Sequence, residues 1–169
     1  RTSPVPIGHM PHSCRHLAGV EVSGTTGPLV RNGVAETGYE PVVLATNWDT
    51  IKYQARRDCY GVYWSPATRE GWHAPGIERP SYCVITVPAG EAVAATAAMA
   101  RAMNPDVRIL VRARFLAEEP LLKNAGATGI AFEEAEIAEA LTTLVLEDVA
   151  RCARETCPID PPQGETSLE

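Results

Sequence analysis

The segment Val22-Ser23-Gly24-Thr25-Thr26-Gly27 follows a short β-branched run and leads into a helix from Pro28. Glycines so spaced let a backbone turn tightly out of a strand. The free N–H groups and the positive end of the following helix can then hold a pyrophosphate. Against the phosphate-binding spacing G-x-G-x-x-G, Gly24 and Gly27 occupy the second and third positions and Val22 the first. A glycine pair of this kind equally makes an ordinary strand-to-helix turn. About 20 residues further on, such sites place an acid at the end of the next strand to bind a ribose. That strand reads Val42-Val43-Leu44-Ala45-Thr46-Asn47, with Ala45 in the acid's place. Thr46 or Asn47 can donate a single hydrogen bond but supplies no carboxylate, and Lys52 lies several residues along the next helix.

Other groupings carry weaker chemistry. His9, His12, Cys14 and His16 put four soft-metal ligands in eight residues, but no second ligand pair accompanies them, so an arm with incidental histidines is the simpler reading. Cys152 and Cys157 are poorly spaced for a metal. Arg112 and Arg114 lie near the carboxyl end of a strand, where open α/β sheets bind ligands. Arg112 is read as either an anion contact or an ion-pair partner of Glu118 or Glu119. Glu133, Glu134 and Glu136 suit a helix N-terminus. The chain contains no G-x-S-x-G, H-E-x-x-H, Walker lysine or Tyr-x-x-x-Lys, and His73 is isolated. A small dehydrogenase acting alone therefore lacks its catalytic groups.

Positioning these residues requires a sheet. Six β-branched runs, Val20–Ser23, Pro41–Thr46, Gly61–Trp64, Tyr82–Val87, Val107–Arg112 and Gly129–Phe132, alternate with helical stretches starting near Gly27, Trp48, Thr68, Gly90, Leu116 and Glu134. That succession predicts an α/β, Rossmann-type doubly wound six-stranded parallel sheet with helices on both faces. Its strand order is expected to be 3-2-1-4-5-6, with Gly24 to Gly27 beside the switch point. Alanine-rich Glu91–Met103 is helical by propensity and ends at Asn104-Pro105. In Glu134–Arg154, Ile137, Leu141, Leu144, Val145 and Val149 recur at three- and four-residue spacing, so this helix should dock on the sheet or on a sister subunit. The expected organisation is an N-terminal arm or linker at 1–18, the nucleotide-binding domain at 19–154 and an irregular tail at 155–169.

Composition narrows the class. With 45% apolar and 21% charged residues, the 169-residue chain suits one soluble domain. A net charge of −6 and 6% aromatics oppose nucleic-acid binding, which needs a basic face or stacking rings. Apolar stretches stop short of the roughly 18 residues of a membrane span, so no direct membrane insertion is expected. Five scattered cysteines fit reduced thiols and a cytoplasmic location.

The stretches Gly38-Tyr39-Glu40-Pro41-Val42-Val43-Leu44, Ala67-Thr68-Arg69-Glu70, Ala74-Pro75-Gly76-Ile77-Glu78 and Ile85-Thr86-Val87-Pro88 occur in this order. Asn104-Pro105-Asp106-Val107-Arg108-Ile109-Leu110-Val111-Arg112-Ala113-Arg114 and Leu121-Leu122-Lys123-Asn124-Ala125-Gly126-Ala127 follow them. Together they resemble the Trk/Kef-type N-terminal nucleotide-binding domain, the N-lobe of regulators of potassium conductance, over residues 19 to 150. The resemblance implies a cytoplasmic nucleotide-sensing regulatory domain, and not an enzyme. It implies a homodimer that binds NAD(H), AMP or another adenine nucleotide and is attached to a potassium channel or antiporter membrane subunit; the departures at Val22, Ala45 and Pro66 lead us to expect weak binding. The alternatives are a small NAD(P)-dependent oxidoreductase and a degenerate scaffold serving assembly only. The implied cofactor-binding residues are Val22, Ser23, Gly24, Thr25, Thr26, Gly27, Pro28 and Leu29 at the phosphates, and Ala45, Thr46 and Asn47 at the ribose. Pro66 and Ala67 would edge the adenine, and Thr86, Val87 and Arg112 would complete the rim. Where the family has a first glycine, a ribose acid and Gly-Asp-Ala after the third strand, this chain has Val22, Ala45 and Ser65-Pro66-Ala67. Restoring an acid at Ala45 is expected to tighten binding.

Overall fold

The computed structural model describes residues 5–8, 16–20, 26–57, 59–63, 65, 68–73, 80–87 and 91–153. In chain order these form β1 (Val5–Ile7), β2 (His16–Val20), α1 (Thr26–Ala35), β3 (Glu40–Ala45), α2 (Trp48–Ala55), β4 (Tyr60–Tyr63) and α3 (Arg69–Trp72). There follow β5 (Tyr82–Ile85), α4 (Glu91–Met103), β6 (Arg108–Ala113), α5 (Glu119–Asn124), β7 (Gly129–Phe132) and α6 (Glu133–Cys152). The chain divides into two compact units, residues 1–133 and residues 134–169.

One sheet runs β1-β4-β3-β2-β5-β6-β7. Strands β2 to β7 are all parallel; numbered among themselves, they take the expected order 3-2-1-4-5-6. The direction of winding reverses at β2, which is flanked by β3 and β5, so the ligand crevice of a doubly wound sheet falls at the carboxyl end of β2. Two expectations need correction. The sheet has seven strands, because β1 pairs antiparallel with β4 inside the stretch 1–18 read as an arm. The first parallel strand is described as His16–Val20, beginning four residues before the expected Val20–Ser23; residues 21–23 lie outside the described residues.

The packing follows from alternation along the strands. In β3, Val42 and Leu44 join the larger core with Ile85, Ile109 and Val111, against Val93, Ala97 and Ala100 of α4 and Leu122 of α5. Val43 and Ala45 face the other way, into a smaller cluster with Ile51 of α2 and Cys59. Helices thus cover both faces. Strand β6 buries Ile109, Val111 and Ala113, whereas the alternate positions Arg108 and Leu110 are exposed and Arg112 is half-buried. At the end of α4, Arg101 donates to the carbonyls of Pro105 (2.5 Å) and Gly126 (2.9 Å), and Asn104 donates to the carbonyl of Pro80 (2.9 Å). These bonds tie the turns below β5, β6 and β7 together. Gly126, in the left-handed region at φ 99°, ends α5, as a glycine after a helix C-terminus commonly does.

The second unit contains most of α6, a 20-residue helix with no buried residue. Ile137, Leu141, Leu144, Val145, Leu146 and Val149 are all exposed along it. No described helix is long and apolar enough to cross a membrane.

Candidate functional site at the carboxyl edge of the sheet

The first strand-to-helix junction supplies the N-terminus of α1, which begins at Thr26 with Gly27 buried. Pro28 lies in the first turn, where a missing N–H leaves no intrahelical bond unmade, and Leu29 is 69% exposed. Val22, Ser23, Gly24 and Thr25 lie outside the described residues, as do Pro66 and Ala67.

At the second junction Ala45 closes β3 and is wholly buried. Its methyl group sits with Val43, Ile51 and Cys59, so the side chain offers nothing polar to a ribose. Thr46 and Asn47 are exposed. Asn47 is the N-cap of α2: its Oδ1 accepts from the N–H groups of Asp49 (2.9 Å) and Thr50 (3.2 Å). The cap explains why α2 starts at Trp48, and it commits the amide oxygen to the helix, leaving only Nδ2 for a ligand.

The aromatic groups here were not picked out from the sequence. Tyr63 is the ladder partner of Ala45, and its ring meets that of Trp48 edge-on, with centroids 5.3 Å apart. The ammonium of Lys52 lies 5.5 Å from the centroid of the Trp48 ring, within cation–π range. The i,i+4 spacing of Trp48 and Lys52 was visible in the sequence; the arrival of Tyr63 beside them depends on the β3–β4 register.

Beyond β5, Thr86 and Val87 are buried. Arg112, near the end of β6, donates from Nη1 to the carbonyl of Thr86 (3.2 Å) and from Nε to Glu133 Oε1 (2.5 Å). Of the predicted rim residues, Thr86 and Arg112 are thus in direct contact. The Arg112 partner is Glu133, not Glu118 or Glu119. Glu118 accepts instead from the backbone N–H groups of Arg114 and Phe115, both at 2.9 Å, and Glu119 pairs with Lys123 one turn on.

Among the described residues no group of three or more His, Cys, Asp or Glu side chains is placed to hold a metal. His9, His12, Cys14 and Cys157 lie outside those residues. Burial pushes the thiols up, Cys59 to about 11 and Cys83 to about 12, with Arg31 partly offsetting the rise at Cys59. Neither is a nucleophile near neutral pH.

Comparisons with known proteins agree with this architecture. YbaL of Escherichia coli (strain K12), named for cation/proton antiport, is 26% identical over 122 residues, which are 72% of this chain and 22% of YbaL. The chain therefore spans about a fifth of that relative's length. The crystal structure of the TrkA-N domain of E. coli inner membrane protein YbaL superposes with a TM-score of 0.72, covering 79% of this chain and 98% of that domain at 26% identity. The NAD-bound GsuK channel shares the fold, with a TM-score of 0.60 at 18% identity over 75% of this chain and 23% of the channel. A domain model described as the TrkA-N domain matches residues 23–133, more than half of the sequence and the whole run from the first strand-to-helix loop to Glu133. The chain belongs to the TrkA-N domain family.

Proposed function

We propose that this chain is the nucleotide-sensing regulatory domain of a cation transport system of the potassium type, acting on the cytoplasmic side of a membrane subunit, and that it has no catalytic role. The observation that carries the reading is the TrkA-N match over residues 23–133, on a sheet whose switch point lies beside the N-terminus of α1. Relatives point the same way: one is named for cation/proton antiport, and one is a channel bound to NAD. The ligand in this reading is NAD(H), AMP or a related adenine nucleotide. Its phosphates lie over Gly24 to Leu29, its ribose beside Ala45, Thr46 and Asn47, its adenine near Pro66 and Ala67, and its far rim at Thr86, Val87 and Arg112. In this reading the nucleotide-binding domain takes in β1 (Val5–Ile7) and β2 (His16–Val20) of the sheet.

Regulation requires two states that bind the nucleotide differently. A homodimer formed through α6 is the assembly in which those states would differ. The support is the line of exposed apolar residues on α6, since contiguous exposed apolar surface marks interaction sites. Calorimetric titration with NADH, NAD, AMP and ATP, paired with an assay for cofactor turnover, tests the reading. Binding without turnover supports it; no binding by any of the four, or steady turnover, rejects it. Sedimentation of the wild type and of a Leu141→Glu, Leu144→Glu double variant tests the assembly. A wild type that stays monomeric at high concentration removes the dimer from the model.

A further inference from the structure

The inference rests on the nucleotide-binding reading and names the ligand class more narrowly. In dinucleotide-binding sheets, the acid ending the second parallel strand bonds the adenosine ribose 2′-hydroxyl, and its charge repels a phosphate at that position. Ala45 stands there, its methyl group wholly buried, so the repelling carboxylate is absent and no other polar side chain replaces it from β3. The adjoining corner is built differently. Tyr63 pairs with Ala45 across the ladder, Trp48 packs edge-on against Tyr63, and Lys52 holds its ammonium 5.5 Å from the Trp48 ring centroid.

Trp48 and Lys52 are four residues apart and so share one face of α2. An exposed lysine ordinarily spreads over many rotamers, and ordering it around an anion costs conformational entropy. The electron-rich face of Trp48 confines the ammonium before any ligand arrives, which reduces that cost. Ring and cation lie on the helix that starts three residues after Ala45. Asp49, exposed in the first turn of α2, is the opposing charge; it weakens the attraction and keeps the expected selectivity modest.

We infer that the Trp48–Lys52–Tyr63 corner selects nucleotides carrying a phosphate on the adenosine 2′-oxygen over those with a free 2′-hydroxyl. Titration of the intact chain with NADPH and NADH, and with adenosine 2′,5′-bisphosphate and 5′-AMP, tests this. The 2′-phosphorylated member of each pair is expected to bind about tenfold tighter, with the difference shrinking as salt rises. Lys52→Gln should bring both affinity ratios close to one, and Lys52→Arg should keep them. Lys52 is exposed, so neither change endangers folding, and unaltered thermal melting verifies that. Equal affinity within each pair, or Lys52→Gln weakening both members alike, overturns the inference while leaving nucleotide sensing intact. No binding by any of the four compounds overturns both.

Discussion

Arg112 and Glu133 form a 2.5 Å ion pair at the carboxyl edge of the sheet, each with about 30% of its side chain exposed. The same guanidinium holds the carbonyl of Thr86 through Nη1. The arginine offered by the sequence as an anion contact is thus already matched by a carboxylate. An anionic ligand that reaches it must compete with Glu133. Glu133→Gln is therefore expected to raise affinity for an adenine nucleotide several-fold, and Arg112→Gln to lower it. The pair is partly solvated, so Glu133→Gln should cost stability only on the order of 1 kcal/mol. Calorimetry and urea unfolding of both variants check this; equal affinities in wild type and Glu133→Gln would remove Arg112 from the rim.

The burial of Ala45 changes the outcome expected from restoring an acid there. A carboxylate introduced among Val43, Ile51 and Cys59 loses hydration without gaining a partner. Ala45→Asp should then destabilise the chain by on the order of 3 kcal/mol, whatever it does to the ribose. Burial raises the folded-state pKa of such a group. Its protonated form is tolerated, so the deficit should shrink as pH falls below neutral and be greatest above it. Urea midpoints at pH 5 and pH 8 measure the sign. A variant as stable as wild type at pH 8 would mean that this position opens to solvent.

Cys59 and Cys83 set an alkaline limit. Both ionise near 9.0 when unperturbed, and burial lifts them to about 11 and about 12. Above pH 9 the unfolded chain releases protons that the folded chain retains. The stability tied to each thiol is therefore whole below about pH 9 and declines as pH rises toward the folded values, by about 1.4 kcal/mol per unit for each thiol. Urea unfolding from pH 8 to 10.5 should show this decline, and Cys83→Ala should make it shallower. An unchanged slope in that variant would show that Cys83 is not the group responsible.

Gly126 offers a test of backbone geometry. Its φ is 99°, and a Cβ built there would lie 3.2 Å from Arg101 Nε, the side chain that binds the Gly126 carbonyl. Gly126→Ala should cost about 1 to 3 kcal/mol, measured as a lower melting temperature. Gly38, also at positive φ but with open space around it, should lose less on the same substitution.

Much of the fold was legible because parallel strands read either as apolar runs where both faces are buried, as in β3, or as alternating runs where one face is, as in β6. Val42-Val43-Leu44 and Arg108–Ala113 were placed within a residue or two for that reason. His16–Val20 was missed by four residues because His-Leu-Ala-Gly-Val has one β-branched residue and a glycine, while the adjacent Val20–Val22 carries a stronger local signal. Val5-Pro6-Ile7 was hidden by its proline, and its strand identity comes only from pairing with β4. The candidate site divides the same way. Ala45, Asn47 and Arg112 could be located by counting from strand ends, whereas the Arg112–Glu133 pair and the Tyr63–Trp48 contact join residues 21 and 15 positions apart. Only the sheet register brings those partners together.

The antiparallel strand at the sheet margin bears on solubility. Without β1, the outer side of β4 would present a row of unpaired N–H and C=O groups, a template on which another chain could extend the sheet. The three residues of β1 pair with Gly61, Val62 and Tyr63 of that row and are a poor template in turn. Pro6 has no N–H to give. Gly8, at φ 102°, ends the extended conformation immediately after Ile7, and a Cβ there would lie 2.8 Å from the carbonyl oxygen of Cys59. The segment closes one margin of the sheet against polymerisation while itself being too short and too irregular to seed it.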